Sequence, residues 1–326
     1  LENYKNFLDN GKTERECVSQ IIEGAKANGY IDISEADTLK AGDKVYVQKM
    51  NKVVALFEIG SENIENGLNI LGAHIDSPRL DAKQNPIYEK DFITYLNTHY
   101  YGGIKKYQWV TTPLAIHGIV CKTDETTVNI NVGEDESDPV FCISDILPHL
   151  AQEQMQKKAS EIIKGEDLDV IIGSAIPSKN DSEKDEKAKK EKDKGKKAVL
   201  ALLAEKYGIE EDDFESAELE IVPAGKARDC GFDRSLILGY GQDDRACAFT
   251  SFAALMDSDK KPSRTSCCLC VDKEEIGSVG ATGMGSHFFE NALAEIIARL
   301  NPEYSELSLR RALANSYMLS SDVNAA

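Results

Sequence analysis

The stretch "TSCCLCVDKEE", residues 265–275, joins a short apolar run to two adjacent glutamates, Glu274 and Glu275. The run has the length of a buried strand, and helical patterns ("DDRACAFTSFAALMD" and "SHFFENALAEIIARL") precede and follow it. Further strands are predicted at "KVYVQKM", "KVVALFEIG" and "LNILGAHID" near the N-terminus and at "YMLSSD" near the C-terminus. Strands that alternate with helices at both ends of the chain predict an α/β domain.

The middle of the chain has a different pattern. "PLAIHGIV", "TTVNINVG" and "PVFCISDIL" are short β-like runs separated by turn residues. The charge-dense segment that begins at "SKNDSEKDEK" is typical of an exposed linker or helix face, and it runs into a predicted helix at "KKAVLALLAEKYG". We therefore expect a smaller β-rich domain, residues 81–226, inserted into an α/β domain made of residues 1–80 and 227–326.

Composition restricts the possible partners. The chain has 326 residues and a formal net charge of -18, which disfavours nucleic acid and anionic membranes as partners. No apolar run approaches the ~20 residues of a membrane span, and the N-terminus does not resemble a signal peptide. The eight cysteines are irregularly spaced, which is typical of reduced thiols in a cytoplasmic protein. Cys267 and Cys270 would leave a strand on opposite faces, so a thiolate metal site is not expected there.

Metal-type ligands stand at three predicted strand ends. "AHIDSP" supplies His74 and Asp76, "VDKEE" supplies Glu274 and Glu275, and "SSD" supplies Asp322. In open α/β sheets the site lies beyond the carboxyl ends of the strands, so these side chains can meet at one edge. A loop before a helix adds a further carboxylate from "GQDDR", where the pattern leaves Asp243 and Asp244 equally possible. One imidazole with several carboxylates suits Zn²⁺ or a similar divalent ion.

The two glutamates can divide the work of such a site. Adjacent side chains point differently, so one Glu can bind metal while the other takes the proton of a metal-bound water. Asp76, two residues from His74, leaves a strand on the same face and can hold an imidazole ring. Each motif alone has a plainer interpretation, because an EE pair often starts a solvated helix and Asp often caps one. The coincidence of three strand ends favours the metal site.

Six motifs together resemble one protein family. "LGAHIDSPRLD", "YGGIKKYQW", "DILPHL", "FDRSLILGYGQDDRACAF", "VDKEEIGSVGATG" and "SSDVNAA" are similar, in order, to the aspartyl aminopeptidase and vacuolar aminopeptidase I family of dinuclear zinc exopeptidases. The resemblance implies a phosphorylase/hydrolase-like three-layer catalytic domain with an inserted β-rich lid and dimerisation domain. It also implies two divalent ions, zinc or alternatively cobalt or manganese, peptide substrates, and a homo-oligomer built from dimers into a dodecamer.

The resemblance also assigns roles to individual residues. It implies that His74 and Asp322 bind one metal, that Asp243 bridges both metals and that Glu275 binds the other. Asp76 would be the supporting carboxylate and Glu274 the general base. His149 of "LPHL" would reach the active site of a neighbouring subunit. A fifth ligand of the family, a His in a GMHSP-like motif, would follow Ala326, so the resemblance implies a C-terminally incomplete chain.

Two other classes of function stay open at this point. The first is a related co-catalytic zinc carboxypeptidase or deacylase, which the same ligand set would serve. The second is a non-catalytic assembly subunit. The resemblance does not choose between acidic and apolar N-terminal residues in the substrate.

Overall fold

The computed structural model describes residues 1–174, 193–258 and 261–324. This part of the chain forms two compact units, residues 1–77 with 226–326 and residues 78–225. The mixed α/β prediction is confirmed. Among the described helices, none combines the length and the apolar character that a membrane crossing requires.

The first unit is built around a mixed six-stranded sheet. Its N-terminal elements are α1 (Glu2–Asn10), α2 (Glu14–Ala27), β1 (Ile31–Asp32), β2 (Lys44–Lys49), β3 (Val53–Glu58) and β4 (Asn69–His74). Its later elements are β11 (Arg228–Cys230), β12 (Leu236–Leu238), α5 (Gln242–Met256), β13 (Ser266–Val271), α6 (Phe288–Leu300), α7 (Glu306–Ala314) and β14 (Tyr317–Ser320). The strand order is β1-β2-β3-β13-β4-β14, and β11 and β12 form a separate hairpin.

Helices cover both faces of the central strands of this sheet. The apolar residues of α6 and α7 pack against one face, together with Cys267 and Leu269 of β13. Those of α1, α2 and α5 pack against the other face, together with Cys268 and Cys270. Alternate residues of β13 therefore enter different cores, as the two-residue period of a strand requires. Burial on both faces explains why "CCLC", residues 267–270, has no charged or strongly polar residue.

The direction of three neighbouring strands positions the candidate site. β13 runs parallel to β4, and β14 runs parallel to β4 on its other side. Their carboxyl ends consequently lie at the same edge of the sheet. The prediction that these three apolar runs are strands which end together is confirmed.

The second unit contains an antiparallel six-stranded sheet with the order β8-β7-β10-β5-β6-β9. One apolar core, which includes Leu80, Leu114 and Ile221, lies against it. The elements of this unit are β5 (Arg79–Lys90), β6 (Ile93–Tyr101), β7 (Leu114–Cys121), β8 (Thr127–Val132), α3 (Ala159–Ile162), β9 (Val170–Ser174), α4 (Lys194–Tyr207) and β10 (Ala217–Pro223).

One sequence expectation for this unit differs from the structure, and two of its strands were not predicted. "PVFCISDIL" was expected to be β-like, but Phe141, Cys142 and Ile143 make only isolated bridges to three separate segments. Strands β5 and β6 were not predicted, because polar residues interrupt their apolar pattern. The helix expected at "KKAVLALLAEKYG" is confirmed as α4. The charge-dense prediction for residues 178–192 lies outside the described residues.

Candidate metal centre

The ends of the three parallel strands bring the predicted ligands together around His74. His74 is the last residue of β4, Glu274 and Glu275 begin a 3₁₀ turn just after β13, and Asp322 follows β14 by two residues. The side chain of His74 is almost wholly buried, whereas those of Glu274 and Asp322 are half exposed. The centre therefore lies where buried strands open to solvent.

The Nε2 atom of His74 faces several carboxylates. It lies 3.3 Å from Oδ1 of Asp243, 3.9 Å from Oε2 of Glu274 and 3.9 Å from Oδ1 of Asp322. His74, Glu274 and Glu275 form one group of potential ligands whose donor atoms all lie within 4.8 Å of one another. The structure thus brings His74, Asp243, Glu274, Glu275 and Asp322 to one place.

A second group of three involves a residue that the family resemblance did not select. His74, Asp244 and Asp322 also have donor atoms within 4.8 Å of one another. Asp244 is fully buried, while the side chain of Asp243 is 58% exposed. Both lie at the start of α5 with non-helical backbone angles, so their carboxylates leave in different directions. The sequence alone left the two aspartates equally possible, and only the backbone geometry distinguishes them.

Asp76 contacts both His74 and the backbone of the glutamate pair. Its backbone carbonyl oxygen and Oδ1 lie 3.1 and 3.3 Å from Nδ1 of His74. Both oxygens are acceptors, so Nδ1 carries a proton, and once the ring is neutral its Nε2 has a lone pair free to bind a metal. The carboxylate of Asp76 also accepts the backbone N–H groups of Glu274 and Glu275, each at 3.2 Å. One buried carboxylate therefore fixes both the ring and the glutamate pair.

Ser77 is a further positioning residue that the sequence reasoning missed. It is buried, and its hydroxyl donates a 2.7 Å hydrogen bond to the backbone carbonyl oxygen of Asp243. The one indication of this role in the sequence is that Ser77 lies in "AHIDSP" close to His74 and Asp76. This contact ties the end of β4 to the loop that carries the two aspartates.

The electrostatics of the centre show an excess of negative charge. Burial lowers the pKa of His74, but the Asp76 carboxylate and other nearby carboxylates outweigh burial and raise the pKa to about 9. Burial, reinforced by the charge of Asp243, raises the pKa of Glu275 to about 7. Burial also raises the pKa of Asp244 to about 6. Carboxylates this close repel one another, and a cation among them would relieve the repulsion.

The donor set fits a divalent metal ion. Nε2 of His74 and Oδ2 of Asp244 are both buried, and neither has a hydrogen-bond partner among the described residues. Buried polar atoms normally have partners, so two such atoms within one ligand group indicate an absent binding partner. An imidazole nitrogen with carboxylate oxygens matches the preference of Zn²⁺.

His149 lies in the second unit, in a turn at residues 148–150, and is exposed.

Comparison with known proteins gives consistent matches over nearly the whole chain. Residues 7–326 match the family described as aminopeptidase I zinc metalloprotease (M18). The chain is 57% identical to a probable M18 family aminopeptidase 1 from Clostridium acetobutylicum, over 100% of this chain and 68% of that protein. It is similar to the crystal structure of an M18 aminopeptidase from Thermotoga maritima, with a TM-score of 0.92 and 42% identity over 100% of this chain and 69% of that one. The fold is also shared with the S. cerevisiae mApe1 dodecamer, with a TM-score of 0.74 and 20% identity over 99% and 71% of the two chains.

Proposed function

This chain belongs to the M18 family of aminopeptidase I zinc metalloproteases, which are peptide hydrolases, and we propose that the centre around His74 carries out the hydrolysis. The observation that carries the proposal is the convergence of three parallel strand ends on one buried imidazole nitrogen that has no hydrogen-bond partner among the described residues. Zinc is the metal of the family, and the donor set suits it.

For the ligands of two ions we propose the roles that the family resemblance implies. His74 and Asp322 would hold one ion, and Glu275 would hold the other. Asp243, whose Oδ1 lies 3.3 Å from Nε2 of His74, would be shared between the two. Asp244 belongs to the same group as His74 and Asp322, so it is a further donor toward the first ion. Shared carboxylates of this kind are typical of two-metal hydrolases.

The chemistry divides between the metal and the protein. Zinc, when bound, polarises the scissile carbonyl and lowers the pKa of water toward neutrality. Glu274, half exposed and 3.9 Å from Nε2 of His74, would take the proton from the attacking water and pass it to the leaving amine. Asp76 would keep His74 in the tautomer that presents Nε2 to the ion.

The family match favours an aminopeptidase over a carboxypeptidase, because the matching family is described as aminopeptidase I zinc metalloprotease. The carboxylates around His74 do not by themselves choose between the two, since bound ions would offset their charge and a carboxypeptidase could use the same ligands.

We also propose the finer architecture and setting. Residues 1–80 and 227–326 would form the phosphorylase/hydrolase-like catalytic domain, and residues 81–226 the lid and dimerisation domain. The exposed His149 would then reach a neighbouring subunit's centre, in a homo-oligomer that resembles the yeast dodecamer. A cytoplasmic location agrees with eight free thiols, all within the described residues.

The test separates metal binding from proton transfer. The chain is stripped with a chelator, reloaded with Zn²⁺, Co²⁺ or Mn²⁺, and assayed for metal content and for cleavage of aminoacyl chromogenic substrates. Glu274→Gln should keep the metal and lose turnover, whereas Glu275→Gln should lose metal. Cleavage that survives chelation, or equal metal content in both variants, would contradict the assignment. Amino-blocked peptides should resist cleavage, and their hydrolysis would instead indicate a deacylase or carboxypeptidase.

A further inference from the structure

Glu274 and Glu275 lie on a loop that leaves β13 and returns close to where it began. We call residues 273–283 the glutamate loop. Its two ends meet in an isolated parallel bridge between Asp272 and Gly283. The backbone N–H of Asp272 donates to the carbonyl oxygen of Thr282 at 3.3 Å. The loop is thus closed at its base.

The backbone inside the glutamate loop is strained. Lys273 and Ser278 have φ angles of 70° and 57°, in the left-handed region that residues other than glycine rarely occupy. Such conformations are unfavourable for residues other than glycine and persist only where the surroundings impose them. The internal hydrogen bond from the Ser278 N–H to the Lys273 carbonyl oxygen, at 2.6 Å, depends on this shape. Something outside the loop must hold its ends in place.

Asp272 is placed to do this. Its side chain is wholly buried at the end of β13. Oδ2 accepts a 2.7 Å hydrogen bond from the hydroxyl of Thr282, and Oδ1 accepts the backbone N–H of Lys273, also at 2.7 Å. Thr282 is itself 3% exposed. The Asp272 carboxylate therefore binds both ends of the glutamate loop, at Lys273 and at Thr282.

We propose that Asp272 is a positioning residue which, through Thr282, closes the glutamate loop and so fixes the orientation of Glu274 and Glu275. The assignment of those two glutamates rests on the proposed function, but the closure of the loop does not. Asp272 belongs to neither of the two ligand groups that contain His74. It would act only through the backbone of the loop.

The test removes one hydroxyl. Thr282→Val keeps the shape of the side chain and deletes the hydrogen bond to Asp272. Hydrogen–deuterium exchange of the metal-free chain should show amides of residues 273–283 exchanging about tenfold faster, as expected for the loss of one buried hydrogen bond. Zn²⁺ affinity, measured by titration calorimetry, should fall about 10- to 100-fold, as it does when groups that orient metal ligands are removed. Thr282→Ser, which restores the hydroxyl, should recover both properties.

Thr265→Val is the matched control. Thr265 is also buried, and its hydroxyl oxygen accepts a 3.1 Å hydrogen bond from the Gly60 N–H at the opposite end of β13. This variant should lose stability to a similar degree while it leaves the exchange of the glutamate loop and the Zn²⁺ affinity unchanged.

The outcomes distinguish this inference from the proposed function. If exchange within residues 273–283 is the same in Thr282→Val and wild type, or if Thr265→Val accelerates it equally, the inference is wrong. If the wild-type chain binds no Zn²⁺, the proposed function fails, while the exchange measurement still decides whether Asp272 and Thr282 close the loop.

Discussion

Replacement of Asp76 by asparagine tests the structural basis of the metal centre most directly. Asp76 is fully buried, and its carboxylate accepts the N–H groups of both Glu274 and Glu275 at 3.2 Å. The same carboxylate lies 3.3 Å from Nδ1 of His74. Asp76→Asn keeps the size of the side chain, removes its charge and exchanges one acceptor oxygen for an N–H₂ donor.

The expected loss of Zn²⁺ affinity follows from the contacts that Asp76→Asn changes. Asparagine can still accept one of the two backbone N–H groups, but its amide nitrogen faces the other donor, so about one charge-assisted hydrogen bond is lost. Such a bond contributes about 1.5–3 kcal/mol. Because 1.4 kcal/mol corresponds to a factor of ten in affinity, Zn²⁺ should bind about 10- to 100-fold more weakly. The free energy of unfolding of the metal-free chain should fall by a similar amount.

The assay is titration calorimetry with Zn²⁺, combined with urea unfolding. Asp213→Asn provides the control, since Asp213 is also buried and accepts the backbone N–H of Glu210 at 2.9 Å, but it belongs to the second unit. It should lower stability and leave Zn²⁺ affinity unchanged. If Asp76→Asn binds Zn²⁺ within threefold of wild type, Asp76 does not organise the centre.

Three further measurements probe separate features. Gly67→Ala should lower the free energy of unfolding by about 2 kcal/mol or more, because φ is 92° and the added Cβ atom would lie 2.1 Å from a backbone oxygen. Gly29→Ala is the control: φ is 83°, but no atom lies within 4 Å of the added Cβ, so the loss should be about 1 kcal/mol. Lys52→Met should cost about 3 kcal/mol in urea unfolding, because it removes the cation of a buried 2.7 Å ion pair with Glu14. Zn²⁺ must displace the proton of His74, whose pKa is about 9 rather than 6.5, so calorimetric affinity should rise with pH by up to about tenfold per unit and level off above about pH 9. In the metal-free chain, protonated His74 stabilises the fold, and this stabilisation should be lost as the pH rises from 6.5 to about 9. A Zn²⁺ affinity that does not change with pH would contradict this reasoning.

The central strands of the first unit's sheet could be predicted because they are apolar along most of their length. β3 is buried at every position and β13 at its four central positions, and both pack against helices on two faces. Polar residues follow each apolar run at its carboxyl end, so the sequence positions of His74 and of Glu274 marked the edge of the sheet. Parallel neighbours then brought the edges together, which explains why ligands distant in sequence could be found from strand ends alone.

The second unit was harder to predict because its strands lack a regular pattern. β5 carries "DAKQNPIYEK", and its pairing with β6 changes register between Ala82 and Ile87. The change interrupts the alternation of apolar and polar residues that identifies a strand. Conversely, "PVFCISDIL" is apolar enough for a strand, but its bridging residues each pair with a different segment. Apolar character predicted neither burial nor pairing there, since of these nine residues only Ile143 is buried.

The roles of Asp76 and Ser77 show why a site is more than its ligands. His74, Asp76 and Ser77 lie within four residues, yet they control three separate segments of the centre. His74 supplies the nitrogen ligand, Asp76 holds the backbone of the glutamate pair, and Ser77 holds the carbonyl oxygen of Asp243. A spacing rule predicts which strand face a side chain leaves, but it cannot predict which distant backbone group that side chain will meet. These contacts form only when β13 pairs with β4 and α5 packs against it. The arrangement that orients the ligands is therefore a property of the assembled sheet and not of any one motif.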